Sequence, residues 1–437
     1  IIADRSLQAD EIDPVDIVKG EKIIKKGFSI TEEGYAKLKK MSASPLYIDY
    51  RAFANNELYL VLLAIMWYLL FSFIPFGRKI QFKEPLLHVI LFLIVYSVTA
   101  FGGKFSFFSS PYTICVVIPT SISIMLVTIL YGNTSAVLLS FVLSLGVLNA
   151  GNWQIASFLF TLASALTSSA IVRKIERRLD LVVAGTLLAI FDIVFIVFMQ
   201  VIFNETFSDM ASLLLGVAVN GFVSGILTLG LLTPLEIMLN TASVFRLMDL
   251  SDNNTPIFKQ MQILANGTYN HSMMVAQLAE SACREINANP ILARVGGYYH
   301  DIGKIEQSEY FVENQQNMEN KHNDLNPTLS ASVIKSHVRK GIEKGHQLHM
   351  PQAVIDIIAE HHGNSVISYF YNEAKQKDPT LSPEDFAYPG NPPSSKESAV
   401  VMLADTIEAA CHTLDNPTSQ RLDKFVGMLI TKKVEDG

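Results

Sequence analysis

The chain has 437 residues, of which 50% are hydrophobic and 17% charged, with a net charge of −7. A soluble protein of this size carries nearer about 25% charged residues, and the apolar excess is confined to the stretch between about Glu57 and Asn240. The acidic balance and the lack of a basic tract argue against a nucleic-acid-binding surface. Three widely separated cysteines, Cys115, Cys283 and Cys411, imply no disulfide framework and suit a reducing cytosol for the C-terminal half.

Residues 1–52 are polar. Lys19–Gly27 alternates like a short strand. Ser29-Ile-Thr-Glu32 has the spacing of a capping box, predicting a helix over Thr31–Met41. This is too little for an independent core. With no Met at the start and no signal peptide, it is expected to be the tail of a larger extracytoplasmic domain.

Leu58–Phe76 is about nineteen nearly pure apolar residues, enough at 1.5 Å per residue to cross a bilayer core of roughly 30 Å. Similar runs follow at about Leu86–Phe101, Tyr112–Tyr131, Ser135–Leu148, Trp153–Val172, Leu181–Phe203 and Leu213–Leu239, predicting seven spans over residues 53–240. The loops Gly77–Lys83 and Arg173–Arg178 are rich in cations. Those holding Lys104, Gly151-Asn152 and Asn204–Asp209 are poor in them. The positive-inside rule therefore puts the N-terminus outside and the C-terminal half in the cytosol, as an odd number of spans requires. Asp192 and Glu236 fall inside spans, where ionisable groups suggest function. With no repeat symmetry, no pair of broken helices and no charged partner evident, a transport role is disfavoured. Residues 241–255 read as a juxtamembrane linker. Residues 256–437 carry only helical periodicity, with helices near 290–300, 329–343, 351–362 and 398–413. The fold class is all-α.

The C-terminal half also carries the chemistry. His271, the dipeptide His300-Asp301, His337, the doublet His361-His362 and Asp405 are metal-type residues, all on predicted helices. His361 and His362 fall where a helix ends before Gly363, at the negative pole of its dipole, which favours a cation. Asp405 lies in the apolar run Val400–Ala410, where burial is costly without a partner or a metal. Imidazoles and carboxylates without thiolate suit iron or manganese and argue against structural zinc. His88, His322, His346, His349 and His412 are read as surface or satisfied core histidines.

This series resembles the HD-domain phosphohydrolase superfamily in its two-metal form. The seven spans ahead of it resemble the bacterial seven-transmembrane HD family, close to PgpH-type cyclic di-AMP phosphodiesterases. Asn270-His271-Ser272, His300-Asp301-Ile-Gly-Lys304, His322–Pro327, Ser336-His337-Val338 and Tyr388–Pro393 carry the resemblance further. It implies one metal held by His271, His300, Asp301 and Asp405, and another by Asp301, His337, His361 and His362. The two ions, Mn²⁺ or Fe²⁺, lie roughly 3.5–4 Å apart over a shared water that attacks phosphorus. Lys304 is assigned to the phosphate or the leaving oxygen.

Enzymes of similar type acting on cyclic di-GMP carry an acidic residue and a Gly-Tyr-Pro motif after the His pair. Here Gly363-Asn-Ser-Val-Ile-Ser-Tyr-Phe-Tyr follows instead, which disfavours that substrate. In the stretch Asn364–Ser395, Tyr369, Phe370, Tyr371 and Tyr388 are candidates for stacking on purines or equally for core. The expectation is a membrane phosphodiesterase, dimeric and regulated by an extracytoplasmic ligand, that converts cyclic di-AMP to 5′-pApA. The rivals are another cyclic dinucleotide or nucleotide as substrate, or a nucleotide-binding receptor without turnover.

Overall fold

The computed structural model describes residues 22–24, 29–42, 50–76, 80–102, 105, 112–203, 209–315, 319–414 and 417–435. The strand-like stretch Lys19–Gly27, the first-loop residues 77–79, Lys104 and residues 204–208 fall wholly or mostly outside them. Two compact units divide after Tyr68. In the first, α1 (Glu32–Ser42) forms one residue later than predicted. Its cap is Thr31, whose Oγ1 accepts the Gly34 N–H at 3.1 Å, and not the anticipated Ser29.

Seven helical segments are long and apolar enough to cross a membrane. They are α2 (Tyr50–Phe73), which runs across the division, α3 (Lys83–Gly102), a third segment Ile114–Tyr131, α5 (Asn133–Ala150), α6 (Ile155–Val172), α7 (Asp180–Phe203) and α8 (Met210–Leu239). Together they make the chain a multi-pass membrane protein. On α7, Ala184, Leu188, Asp192 and Ile196 recur every four residues and are buried, while Leu187, Ile190, Val194 and Phe198 remain exposed. The buried row packs on the neighbouring helices, and the exposed row is the face a lipid would cover.

The third segment departs from expectation by breaking in two. A 3₁₀ turn at Ile114–Val116 is followed by irregular backbone, and α4 (Thr120–Tyr131) begins only after Pro119. Proline removes a backbone donor and drives the residue before it out of the helical region. The carbonyls left free at Val116 and Ile118 are taken by Asn220 Nδ2 of α8, at 2.6 and 3.4 Å. Unpaired backbone at membrane depth needs such a partner.

Glu236 is not the lone charge that the sequence suggested. Arg178 NH2 stands 3.3 Å from Glu236 Oε2 and 2.8 Å from Asp249 Oδ2. Ser243 Oγ donates to Glu236 Oε1. Asp249 belongs to α9 (Val244–Leu250), capped by Ser243, so residues 241–255 contain a helix with Phe245 and Leu247 buried. Arg246 donates to the carbonyls of Glu236 and His349. His88 is a satisfied core residue as expected, held with Glu84 through Ser135 Oγ at 2.9 and 2.7 Å.

The regular elements of the C-terminal half are helical: α10 (Pro256–Leu264), α11 (Asn266–Glu285), α12 (Pro290–Tyr299), a 3₁₀ stretch Ile302–Tyr310, α13 (Pro327–Gln347), α14 (Gln352–Glu360), α15 (Ser368–Lys377), α16 (Lys396–Cys411) and α17 (Ser419–Glu435). Among the described residues the only β pairing is one bridge, Val366 to Ala387. Phe258, Val275, Val295, Ile302, Val354, Ile358 and Val401 form the core that fixes α10, α11, α12, α14 and α16 against one another.

The tightest membrane-domain contact is α7 on α8. A Cβ added at Gly225 would sit 2.4 Å from the Leu181 carbonyl oxygen and 2.9 Å from Gly185 Cα, whereas one at Gly230 would meet nothing within 4 Å. Small residues allow such close helix approach in membranes. Gly225→Leu is therefore expected to destroy the monodisperse peak of the detergent-solubilised protein in size-exclusion chromatography. Gly230→Leu should leave that peak unchanged.

Candidate metal centre

Each metal-type side chain is placed by a helix end or a helix face. His300 is the C-cap of α12, and Asp301 follows as the chain tightens into the 3₁₀ stretch. His361 is the C-cap of α14, one residue past the helix proper, and His362 lies in the turn after it. Gly363 takes φ +54°, the left-handed conformation that closes a helix end. His271 projects from the first half of α11, His337 from α13 and Asp405 from α16. Gly303 lets the 3₁₀ stretch press onto α13, since a Cβ there would fall 1.9 Å from the His337 carbonyl oxygen. This contact holds Asp301 against His337.

The seven side chains converge; five are buried, and His271 and His362 are mostly so, with side chains 10% and 23% exposed. Asp301 is at the centre. Its Oδ2 lies 3.1 Å from His300 Nε2 and 3.7 Å from His271 Nε2, and its Oδ1 lies 3.4 and 3.7 Å from the Nε2 atoms of His337 and His361. The donors fall into two clusters, each compact enough for one ion: His271, His300 and Asp405, and Asp301, His337, His361 and His362. His362 Nδ1 is also 3.7 Å from Asp405 Oδ2.

The hydrogen bonding suits a cation. The Nδ1 atoms of His300, His337 and His361 each lie 2.6–2.8 Å from the carbonyl oxygen three residues earlier. A carbonyl only accepts, so the proton of each ring resides on Nδ1 and the Nε2 lone pair turns inward. His300 Nε2 and Asp301 Oδ1 are buried and make no hydrogen bond. His337 Nε2 and His361 Nε2 face each other at 3.2 Å, an arrangement of two lone pairs that a positive ion between them would relieve. The residues present fit a metal centre.

The ionisation states agree with this. Burial lowers His337 to about 3, and the neighbouring His361 acts in the same direction. Burial also takes His362 well below the ordinary imidazole value. Both are therefore neutral ligands-in-waiting. Burial opposes the charge on Asp301 and Asp405, but the basic groups around them, with Lys304 beside Asp301 and the protonated His271 hydrogen-bonded to Asp405, outweigh it and hold both carboxyls far below their usual values. His271 moves the other way. Burial would lower it, yet hydrogen bonds to Asp405 (3.0 Å) and Glu408 raise it to about 10. A cation bound at His271 would displace this proton.

Lys304 Nζ is 2.7 Å from Asp301 Oδ2, 2.9 Å from Glu313 Oε1 and 4.9 Å from the centre of the Phe311 ring. Burial disfavours its charge, but Asp301 and Glu313 prevail and keep it an ammonium.

The three tyrosines separate. Tyr388 stacks on His362, with centroids 4.3 Å apart and planes at 27°. Tyr371 packs on Phe386 in a small satellite core with Ala331 and Ala374. Tyr369 is 74% exposed. The stretch Asn364–Ser395 is thus partly core, and it meets the centre at Tyr388 and at Ser365, whose Oγ donates to the His362 carbonyl at 2.7 Å. His322 Nε2 donates to the Tyr310 carbonyl oxygen, 2.8 Å away, and the ring packs between Tyr310 and Phe370.

Sequence reasoning missed Glu408 and Glu313. Glu408 lies three residues after Asp405, one helical turn along the same buried face, and it grips His271 Nδ1 while accepting from His412 at 2.9 Å. That spacing was the available signal. A carboxylate behind a ligating histidine fixes its orientation, and its loss typically weakens metal affinity by about 10–100-fold. Glu408→Ala is expected to weaken Mn²⁺ binding by that factor in calorimetric titration of the purified chain, with the secondary structure intact by circular dichroism.

Comparison with known proteins agrees with the architecture. Residues 53–243 match the family described as 7TM receptor with intracellular HD hydrolase, and residues 268–410 match the HD domain. The cyclic-di-AMP phosphodiesterase PgpH of Bacillus subtilis is 31% identical over 100% of this chain and 62% of its own length. That of Listeria monocytogenes is also 31% identical, over 100% of this chain and 61% of its length. The chain thus spans about three-fifths of these relatives. A crystal structure of the Listeria monocytogenes PgpH HD domain in complex with cyclic di-AMP is 41% identical, covering 43% of this chain and 87% of that one, with a TM-score of 0.42. Both domains of the seven-transmembrane HD family are thus matched in order along the chain, and the curated relatives align with the whole of it.

Proposed function

We propose that the chain is a membrane-embedded, metal-dependent phosphodiesterase that hydrolyses cyclic di-AMP to 5′-pApA. The observation that carries this reading is the convergence of seven imidazole and carboxylate donors centred on Asp301, in a chain whose whole length aligns with about three-fifths of two cyclic-di-AMP phosphodiesterases.

His271, His300 and Asp405, with Asp301 Oδ2, supply one donor set. His337, His361 and His362, with Asp301 Oδ1, supply the other. Two divalent transition metals held there, manganese or iron, would supply Lewis acidity and lower the pKa of water at the site. The carbonyl-anchored Nδ1 protons keep three rings in the ligating tautomer. Lys304, an ammonium, cannot serve as a base. It offers positive charge to a non-bridging phosphate oxygen or to the departing ribose 3′-oxygen, exchanging its contact with the half-exposed Glu313 for the substrate. Burial raises the Tyr388 phenol above its ordinary value, so it stays a neutral hydroxyl, and its ring holds His362 in place. The exposed ring of Tyr369 is available to a purine.

The domain assignment extends this reading: an extracytoplasmic tail at 1–52, the membrane domain at 53–240, a linker at 241–255 and the phosphohydrolase domain at 256–437. The cation-rich loop Arg173–Arg178 supports a cytosolic site with the N-terminus outside. Two copies in a dimer, driven by an extracytoplasmic ligand, would pass the signal through α9. The contacts of Arg178 with Glu236 and Asp249, and of Arg246 with the His349 carbonyl, tie that helix to both domains.

The full chain in lipid nanodiscs with Mn²⁺ should hydrolyse cyclic di-AMP to 5′-pApA faster than it hydrolyses cyclic di-GMP, a linear dinucleotide or a nucleoside triphosphate. Asp301→Ala should lower that rate by at least ~10³-fold. Equal rates on cyclic di-GMP would remove the substrate assignment, and turnover surviving in Asp301→Ala would remove the site.

A further inference from the structure

Asp192 lies at the middle of α7, 1% exposed, within a part of the bundle that the phosphodiesterase reading does not use. Its Oδ2 accepts one hydrogen bond, from Ser164 Oγ of α6 at 3.2 Å. Its Oδ1 is buried with no hydrogen-bond partner. Ser164 Oγ is in turn 2.9 Å from Ser121 Oγ, in the first turn of α4. Thr161, three residues before Ser164 on α6, and Thr120, next to Ser121, are also buried with hydroxyls that find no partner. Hydroxyl residues recur along one face of α6 at Ser157, Thr161, Ser164 and Ser168, all of them buried.

This is also where the third span breaks. The 3₁₀ turn at Ile114–Val116 ends, and α4 starts beside the Ser121–Ser164–Asp192 chain. Irregular backbone at membrane depth occurs where it is buried in protein or lines a site.

Among the described residues none makes an ion pair with Asp192. Cys115, buried in the 3₁₀ turn before α4, is a thiol and brings no positive charge. α6 carries no ionisable side chain, and Glu236 on α8 sits at the far end of its helix, paired with Arg178. α4 contributes Thr120 and Ser121, with Tyr131 its lone titratable group eleven residues beyond Thr120. A bare carboxylate in such surroundings is costly, so it must hold a positive charge.

We propose that Asp192 is the ligand of a small monovalent cation, a proton or a sodium ion, held inside the membrane domain with Ser164, Ser121 and Thr161 as accessory oxygens. All the donors are hard oxygen atoms, and one negative charge matches one positive charge. A ligand that binds the folded state alone stabilises it in proportion to its occupancy. Occupancy of this site therefore tightens the packing of α4, α6 and α7 around Asp192.

The test is hydrogen–deuterium exchange of the full chain in lipid nanodiscs, following peptides over residues 112–131, 155–172 and 180–203. One arm replaces choline by Na⁺ at constant ionic strength and pH 8. The other varies pH in choline, corrected for intrinsic exchange. The expected result is saturable protection of these peptides by Na⁺, which identifies sodium, or by acid alone, which identifies a proton. The protection should vanish in Asp192→Asn, and its midpoint should shift at least ~threefold in Ser164→Ala. If Asp192→Asn does not assemble, the Ser164→Ala shift decides. Protection by neither cation, or an unmoved midpoint in Ser164→Ala, overturns the site, as does protection that persists in Asp192→Asn. Each readout is independent of phosphodiesterase turnover.

Discussion

The C-terminal half depends on one electrostatic constraint, the burial of Asp301 among imidazoles. The carboxylate is 1% exposed, and its two oxygens face different groups of Nε2 atoms. Taken alone, the chain compensates it with Lys304 and with a protonated His271 bound to Asp405. That is a partial solution. His300 Nε2 stays unsatisfied, and two neutral rings meet nitrogen to nitrogen. A buried polar group left unpaired costs about 1–3 kcal/mol, so several in one place mark a site built for something other than stability. Donor chemistry and fixed tautomers both point to cations.

Backbone geometry makes the constraint possible. His300 and His361 each occupy the C-cap of a helix, where their Nδ1 atoms reach back to a free carbonyl in the last turn. The same unpaired carbonyls that give a helix its negative pole thus anchor the rings and set their protonation. His337 achieves this within α13 by bonding Ile334 O. Glu408 supplies the equivalent support to His271 from a side chain.

Much of this was legible in the sequence, for physical reasons. Apolar runs of span length need only composition, so the seven membrane segments and the all-helical C-terminal half could be read directly. The ligand-type residues stood out because histidine and aspartate are rare on apolar helical faces. What was illegible depended on three-dimensional partners. Arg178 counted only as loop charge, yet it pairs with Glu236 and Asp249, distant by 58 and 71 residues. Tyr369, Tyr371 and Tyr388 looked alike, but one is exposed, one packs in a core and one covers His362. Two further signals were present and went unread: Pro119 within an apolar run, and Glu408 one turn after Asp405.

Elemental analysis of the purified full chain, expressed with manganese and iron supplied, bears most directly on the two-set arrangement around Asp301. The account predicts about two transition-metal ions per chain, falling to none when Asp301 is replaced by alanine. A wild-type chain that holds one ion or none under those conditions would contradict it.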